Sequence, residues 1–184
     1  MRSPTAISLC LLLAFARGSE TGPRLENRVQ QPPRWVVSFQ GVGPVRFGMS
    51  LRQASAALGE HLPGRSPEDT SSKGRDCPFY YTTPKTAPES LSFMVEDDTI
   101  VRADITRGPY ATMDGFHIGS AACEIRHRYG DRLELGTSLG GNDLLLLRSR
   151  DPERRFLIVF EMTAGRVSSY RAGRGAAAEL EECD

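Results

Sequence analysis

A duplicated pattern is the sequence feature that most restricts the fold of this chain. Residues 45–59 align with residues 116–130 at a constant offset of 71, and each copy places two glycines eleven residues apart. Each copy also has apolar or small side chains at the i, i+3, i+7 spacing of a short amphipathic helix. These side chains are Leu51, Ala54 and Leu58 in the first copy, and Ala122, Ile125 and Tyr129 in the second. A helix repeated in this way predicts two copies of one small structural unit.

The residues that flank both stripes are typical of helix ends. Ser50 or Ser120 can cap the start of its helix, because a serine hydroxyl accepts a hydrogen bond from a free backbone N–H of the first turn. Gly59 and Gly130 can supply the left-handed residue that ends a helix. We therefore expect a short helix in each copy that begins at its serine and ends at its glycine.

Strand-like segments follow each helix. They are residues 77–82, 90–96 and 99–106 in the first copy, and residues 132–136, 142–148, 155–161 and 166–172 in the second. Residues 100–105 align with residues 167–172 at an offset of 67, so the repeat extends into the last strand. The sequence predicts an α+β fold of two tandem modules, each a short helix packed on an antiparallel sheet. The modules are expected at residues 35–113 and 114–184.

The N-terminal region has the features of an export signal. Arg2 precedes an apolar run at residues 6–16 that ends in Ala-Phe-Ala, a small-x-small cleavage pattern, so residues 1–16 are interpreted as a signal peptide. Residues 17–34 are polar and contain several prolines, which predicts a disordered leader. No run approaches the roughly 20 apolar residues of a membrane-spanning helix. We expect a periplasmic or secreted protein without a transmembrane segment.

The charge balance argues against nucleic acid as a partner. The chain has 23 basic and 23 acidic residues, and removal of Arg2 with the signal leaves a net charge of about −1. The cysteines fit an exported chain. Cys10 leaves with the signal, and Leu9 before it does not suit a lipid-anchor site. We expect a Cys77–Cys183 disulfide, with pairings that involve Cys123 as the alternatives.

A Gly-Met-Ser element opens a short helix that ends in Leu-Gly and is followed by strands, and the repetition of this plan resembles a known architecture. It is similar to the tandem modules of beta-lactamase inhibitory protein and to the single module of the small outer-membrane assembly lipoproteins, over residues 41–175. The resemblance implies a non-enzymatic protein that grips other proteins with the sheet face left open by the helices. It carries over no individual binding residue, because the matching positions are glycines and core residues.

Strand alternation locates a candidate binding face. Val101, Ala103 and Ile105 are expected to point toward the helix. The opposite face would then carry Ile100, Arg102, Asp104 and Thr106, joined at the offset of 67 by Ser169 and Arg171. We predict that Arg102, Asp104, Ser169 and Arg171 form a mixed-charge strip that binds a protein partner in the cell envelope.

The second module has strands that are apolar on both faces. Residues 144–147 and 156–160 contain almost no polar side chain, so their far face needs a cover. The first module, a second copy of the chain or a partner protein could supply that cover. A homodimer through these strands is therefore one of the predicted assemblies.

A small-ligand or glycan binder is the alternative function. Sugars and other flat apolar faces stack on aromatic rings, and the sequence offers Phe79, Tyr80, Tyr81 and Tyr110. Two of these rings on one open sheet face would favour this alternative, and burial of all four would exclude it.

Three motifs that could carry chemistry are better explained by structure. Residues 136–140 match the G-x-S-x-G pattern around Ser138, but a strand rather than a helix is predicted next and no histidine follows, so a serine hydrolase is the least favoured reading. Gly41-x-Gly43 lacks the third glycine of a dinucleotide fingerprint. Cys123 and His127 have i, i+4 spacing but lie off the apolar stripe. We predict no catalytic residue, metal or cofactor.

Overall fold

The computed structural model describes residues 35–63, 79–83, 87–88, 90–151 and 155–179, and shows an α+β protein with two sheets and short helices. In chain order the elements are β1 (Val36–Ser38), β2 (Gly41–Val42), β3 (Val45–Arg46), α1 (Leu51–Leu58), β4 (Phe79–Tyr81), β5 (Leu91–Glu96), β6 (Thr99–Ile105), β7 (Ala111–Thr112), α2 (Ala122–Tyr129), a 3-10 turn (Gly130–Arg132), β8 (Leu133–Thr137), β9 (Asp143–Arg148), β10 (Phe156–Thr163), β11 (Arg166–Arg174) and α3 (Gly175–Glu179). The signal, the leader and the Cys77–Cys183 disulfide lie outside the described residues and stay predictions.

The larger sheet joins the two modules edge to edge. Its order is β4-β5-β6-β11-β10-β9-β8, and all of its pairs are antiparallel. The first module contributes β4 to β6 and the second contributes β8 to β11. The two sets meet where β6 pairs with β11, which we call the seam. The first module also forms a small sheet of order β3-β2-β1-β7, in which the β1–β7 pair is parallel.

The repeat detected in the sequence is also present in the hydrogen bonds. The N–H of Gly48 donates to the carbonyl of Ile100 at 2.8 Å, and the N–H of Gly119 donates to the carbonyl of Val167 at 2.8 Å. Gly48 and Gly119 are equivalent at the offset of 71, and Ile100 and Val167 are equivalent at the offset of 67. The two bonds therefore join equivalent residues of the two modules. Each helix is therefore tied at the same place to the last strand that its module contributes to the larger sheet, which confirms the prediction of two helix-and-sheet modules.

The two helices begin differently. The Ser50 hydroxyl accepts a hydrogen bond from the Gln53 N–H at 3.2 Å, and the Gln53 side chain accepts one from the Ser50 N–H at 2.8 Å. Together these bonds form a capping box. The prediction of a Ser120 cap is wrong, because the offset of 71 places Ala121 at the capping position. The Ser120 hydroxyl accepts a hydrogen bond from the His117 N–H instead.

A single core lies between the helices and the larger sheet. Ala54 of α1 and Ile125 of α2 belong to one buried cluster together with Phe93, Phe160 and Tyr170 of the sheet. Because this cluster contains side chains from both modules, the modules stabilise each other across the seam.

A β-bulge interrupts the alternation of β6. The register pairs Val95 with Ile100 but Met94 with Arg102. Val101 is the extra residue, so it shares a face with Arg102 while Ile100 turns into the main core. The predicted directions of Ala103 and Ile105 are correct, and those of Ile100 and Val101 are wrong. β11 has the equivalent bulge, with Ser168 as its extra residue.

Candidate functional site

The face of the larger sheet opposite α1 and α2, called the far face, carries the four residues that the sequence proposed for the mixed-charge strip. One row of cross-strand neighbours runs over all seven strands of that face. The row consists of Tyr81, Ser92, Asp104, Arg171, Val159, Leu146 and Glu134. Asp104 and Arg171 face each other across the seam. Arg102 lies two residues from Asp104 along β6, and Ser169 lies two residues from Arg171 along β11. The structure thus brings the four predicted residues together.

Helix α3 covers one end of the far face. The chain turns back after β11, and small side chains of α3 pack on larger apolar ones of the sheet. Ala177 joins Met94 and Val101, while Ala178 joins Leu144, Leu157 and Val159. The apolar strands of the second module therefore take their cover from the C-terminal segment of the same chain. The other module, a second copy and a partner protein had been the expected candidates.

Arg102 holds α3 against the sheet. Its side chain is buried, with the whole residue only 3% exposed. Nη1 donates to the Ala177 carbonyl at 2.8 Å, and Nε donates to Asp104 Oδ2 at 2.8 Å. The guanidinium also lies 5.3 Å from the centre of the Phe79 ring. Every one of these contacts is internal to the chain.

Arg171 makes the equivalent contact from the other side of the seam. It is 8% exposed, and its Nε donates to the Ala178 carbonyl at 2.6 Å. Cations near the carbonyl end of a helix are favourable, because those carbonyls carry partial negative charge. The expectation that both arginines lie on an exposed strip is wrong, since each is buried beneath α3 and binds its backbone.

The other end of the far face is not covered by α3. Tyr81 is 43% exposed, and the half-buried polar residues there are Ser92, Asp104, Glu161 and Ser169. We call these five residues the open patch. The Glu161 carboxylate accepts hydrogen bonds from Ser169 Oγ at 2.9 Å and from the side chain of Asn142 at 2.8 Å. These bonds fix the rotamers of polar groups that still reach solvent.

The four aromatic residues proposed for glycan stacking are in different environments. Tyr110 is fully buried, lies edge-on to Trp35 and donates its hydroxyl to the Pro88 carbonyl. Tyr80 packs against the main core. Phe79 and Tyr81 share the far face, but Phe79 is capped by Arg102. In the part of the chain that the structure describes, Tyr81 is the one large aromatic side chain that is classed as exposed.

Ser138 lies in a tight hairpin turn between β8 and β9. Its N–H donates to the Asn142 carbonyl at 2.8 Å, and its hydroxyl accepts from the Asn142 N–H at 2.9 Å. A nucleophile elbow instead requires a helix directly after the serine. This geometry gives the hydroxyl a structural role in the turn.

The described residues contain no group of three or more His, Cys, Asp or Glu side chains placed to hold a metal ion. Cys123 is exposed with a free thiol. Nδ1 of His117 is hydrogen-bonded to the Gly115 carbonyl at 3.0 Å. The i, i+4 pair seen in the sequence thus gains no third ligand within the described ranges.

A polar cluster that the sequence did not reveal ties α2 to the loop before it. Asp114 accepts hydrogen bonds from the Tyr129 hydroxyl at 2.6 Å and from Arg128 Nη2 at 2.5 Å. The Tyr129 bond, with that of Arg128, holds the pKa of the Asp114 carboxyl below its usual value. Burial and the bond to Asp114 raise the pKa of Tyr129. No motif or spacing marks this cluster in the sequence.

The fold and the site define a duplicated α+β protein whose central sheet has one partly open face. No family model and no curated protein sequence matches the chain. Among solved structures, the chain is similar to the uncharacterized protein yfeY from Escherichia coli, with 20% identity and a TM-score of 0.49. That match covers 76% of this chain and 99% of yfeY. Within the described residues, no helix has the length and apolar character needed to cross a bilayer.

Proposed function

We propose that this protein binds another protein through the open patch and acts without catalysing a reaction, in the periplasm or outside the cell. The observation that carries the proposal is the composition of the patch. An exposed tyrosine lies beside half-buried carboxylates and serines on a sheet face that continues across the seam. Protein interfaces typically combine an aromatic anchor with a polar rim in this way.

The patch is also well prepared for binding. Tyr81 lies on the edge strand β4, and the other four residues lie on internal strands of an antiparallel sheet, so little backbone entropy is lost when a partner docks. Glu161 and Ser169 already hold each other through a hydrogen bond of 2.9 Å. A partner that contacts them gains polar contacts without first ordering those side chains. A tyrosine has few rotatable bonds and offers a large contact area at low entropic cost.

The cellular location rests on the sequence. The basic residue, short apolar run and Ala-Phe-Ala end of residues 1–16 are typical of an export signal. The resemblance to inhibitor and envelope-assembly modules implies the same mode of action, in which a sheet face grips a protein partner. A partner in the cell envelope is therefore proposed.

Site-specific photocrosslinking tests the binding face. A photoreactive phenylalanine analogue is placed at Tyr81, or at Met113 as a matched control that is 76% exposed but lies after β7. The full-length protein is then irradiated in an envelope extract. We expect a discrete protein adduct from position 81 that is absent from position 113.

A second substitution makes the test specific to the patch. Glu161→Arg reverses a charge of the open patch without touching the buried arginines, and it should abolish the adduct at position 81. Identical adducts from positions 81 and 113, or an adduct that Glu161→Arg leaves unchanged, would contradict the proposal. Substitution of Arg102 or Arg171 is avoided here, because either change would disturb α3.

A glycan ligand is the second candidate, favoured by the exposed Tyr81 ring in the same cross-strand row as Asp104, with Ser92 between them. An aromatic ring with a nearby hydrogen-bond acceptor is a common sugar-binding arrangement. Tyr81→Phe keeps the stacking surface, whereas Tyr81→Ala removes it. Glycan-array binding that survives the first change and is lost with the second supports this candidate. An array without any bound glycan rejects it.

A further inference from the structure

Strand β8 is an open edge of the larger sheet. It ends the strand order, and no described residue pairs with its outer side. Its central residue Leu135 is 66% exposed, although a leucine loses free energy in water. β8 also lacks the proline, lysine or bulge with which proteins usually protect an edge. Strand β4, at the opposite end, differs because the Tyr81 N–H donates to the Pro63 carbonyl.

The hairpin turn determines which peptide groups of β8 point outward. The N–H of Ser138 donates to the Asn142 carbonyl, so residue 138 faces β9. Peptide groups alternate between the two sides of an antiparallel strand. Those of Leu133, Leu135 and Thr137 therefore point away from β9. The Leu133 N–H is already used by the Gly130 carbonyl, which leaves its carbonyl available.

We propose that β8 pairs antiparallel with β8 of a second copy of this chain, about a two-fold axis at Leu135. This register forms two hydrogen bonds between Leu135 and Leu135 of the partner subunit. Two more run from the Thr137 N–H groups to the Leu133 carbonyls of the opposite copy. The exposed leucines then lie next to each other on the axis, which removes apolar surface of both from water.

A second copy is favoured as the occupant because β8 is self-complementary in this register: the outward N–H groups of Leu135 and Thr137 each meet a carbonyl of the other copy. In this register Glu134 lies opposite Gly136 of the partner subunit, so no like charges face each other directly. The Glu134 carboxylate is paired with Arg148, whose Nε lies 2.6 Å away and whose Nη2 also bonds Glu179. The sequence had placed a dimer on the apolar faces of the second module. Those faces are covered by α3, and the edge of the same module is what the structure leaves open.

Cysteine crosslinking tests the register in the full-length chain. Leu135→Cys places two thiols on the axis, where the Cα separation of about 5.5 Å permits a disulfide. Leu139→Cys is the matched control, because Leu139 is 79% exposed but lies four residues from the axis. β8 ends at Thr137, whose two copies would already be about 14 Å apart along the strands, and Leu139 lies beyond it in the hairpin turn. Both variants carry Cys123→Ser, and peptide mass spectrometry identifies which cysteines are linked.

The expected result is a symmetric 135–135 linkage without a 139–139 linkage. Sedimentation should show concentration-dependent dimerisation that Leu135→Lys weakens about tenfold or more, while Leu139→Lys does not. A wild-type chain that stays monomeric at all concentrations would overturn the proposal. So would a dimer that Leu135→Lys leaves unchanged, or equal crosslinking at positions 135 and 139. Photocrosslinking at Tyr81 reports on the open patch independently of these outcomes.

Discussion

Replacement of Gly173, which lies in the seam opposite Arg102, should destabilise the fold. A methyl group at this position would lie 2.5 Å from the Val101 carbonyl oxygen and 2.9 Å from the Arg102 Cα. Both are backbone atoms, so they cannot rotate away as a side chain could. Restoring ordinary contact requires β6 and β11 to separate locally by about 0.9 Å. The Val101 carbonyl belongs to the bulge of β6, and at this separation only glycine fits opposite it.

The cost of Gly173→Ala can be estimated from these contacts. Overpacking of a rigid core costs about 1–3 kcal/mol, and a weakened hydrogen bond across the seam adds about 1 kcal/mol. We expect a loss of about 2–4 kcal/mol in the free energy of unfolding. For a chain of this size, that loss lowers Tm by about 4–16 °C.

Thermal and urea unfolding followed by circular dichroism measure this loss. Gly140→Ala is the matched control, because the nearest atom to its new methyl group would be Ser138 Oγ at 3.7 Å. The control should be within about 0.5 kcal/mol of wild type. If Gly173→Ala is as stable as Gly140→Ala, the close approach at the seam does not exist and the reasoning fails.

Three further predictions concern single side chains. The buried Tyr170 hydroxyl has no hydrogen-bond partner among the described residues, so Tyr170→Phe should leave unfolding unchanged or stabilise by up to about 1 kcal/mol, whereas Tyr110→Phe should cost about 1 kcal/mol. A large loss of unfolding free energy in Tyr170→Phe would contradict this prediction, because it would mean that the Tyr170 hydroxyl makes a stabilising hydrogen bond. Ser50→Ala removes the cap of α1 and should cost about 1 kcal/mol in urea unfolding; no loss would deny the cap a role. The pKa of Asp114 is lowered by folding, so its stabilisation is fully present above its unfolded pKa of about 3.9 and is lost as pH falls through the folded pKa. The difference in stability between wild type and Asp114→Asn should therefore be constant near neutral pH and shrink at low pH, and a difference independent of pH would contradict this.

The repeat and the pattern of apolar side chains were sufficient to predict most of the fold. Both helices and the strands of the larger sheet lie close to their predicted positions, because period and turn residues are local signals. Helix α3 was missed for a physical reason. Its sequence, Gly-Ala-Ala-Ala-Glu, has no large apolar side chain and therefore no amphipathic stripe. Its stability comes from the sheet beneath it, which no local pattern records.

The sequence was sufficient to predict which residues of the candidate site share one face of the sheet, but not which of them are exposed to solvent. Strand alternation and the offset of 67 correctly placed Arg102 and Arg171 on one face. Whether that face reaches solvent depends on α3, so the burial of both arginines could not be derived from their own strands. The directions of Ile100 and Val101 failed because a bulge adds one residue to one strand. A bulge of this kind leaves no clear mark in composition.

The seam has a consequence for how such a chain could arise. A half-length ancestor with one module would carry β6 as an open edge, and two such modules would expose four sheet edges between them. The described larger sheet has two, because β6 and β11 close each other. In structural terms the present chain is a dimer of modules made covalent by duplication. An isolated module would be expected to associate with another through its β6 edge and recreate the same sheet.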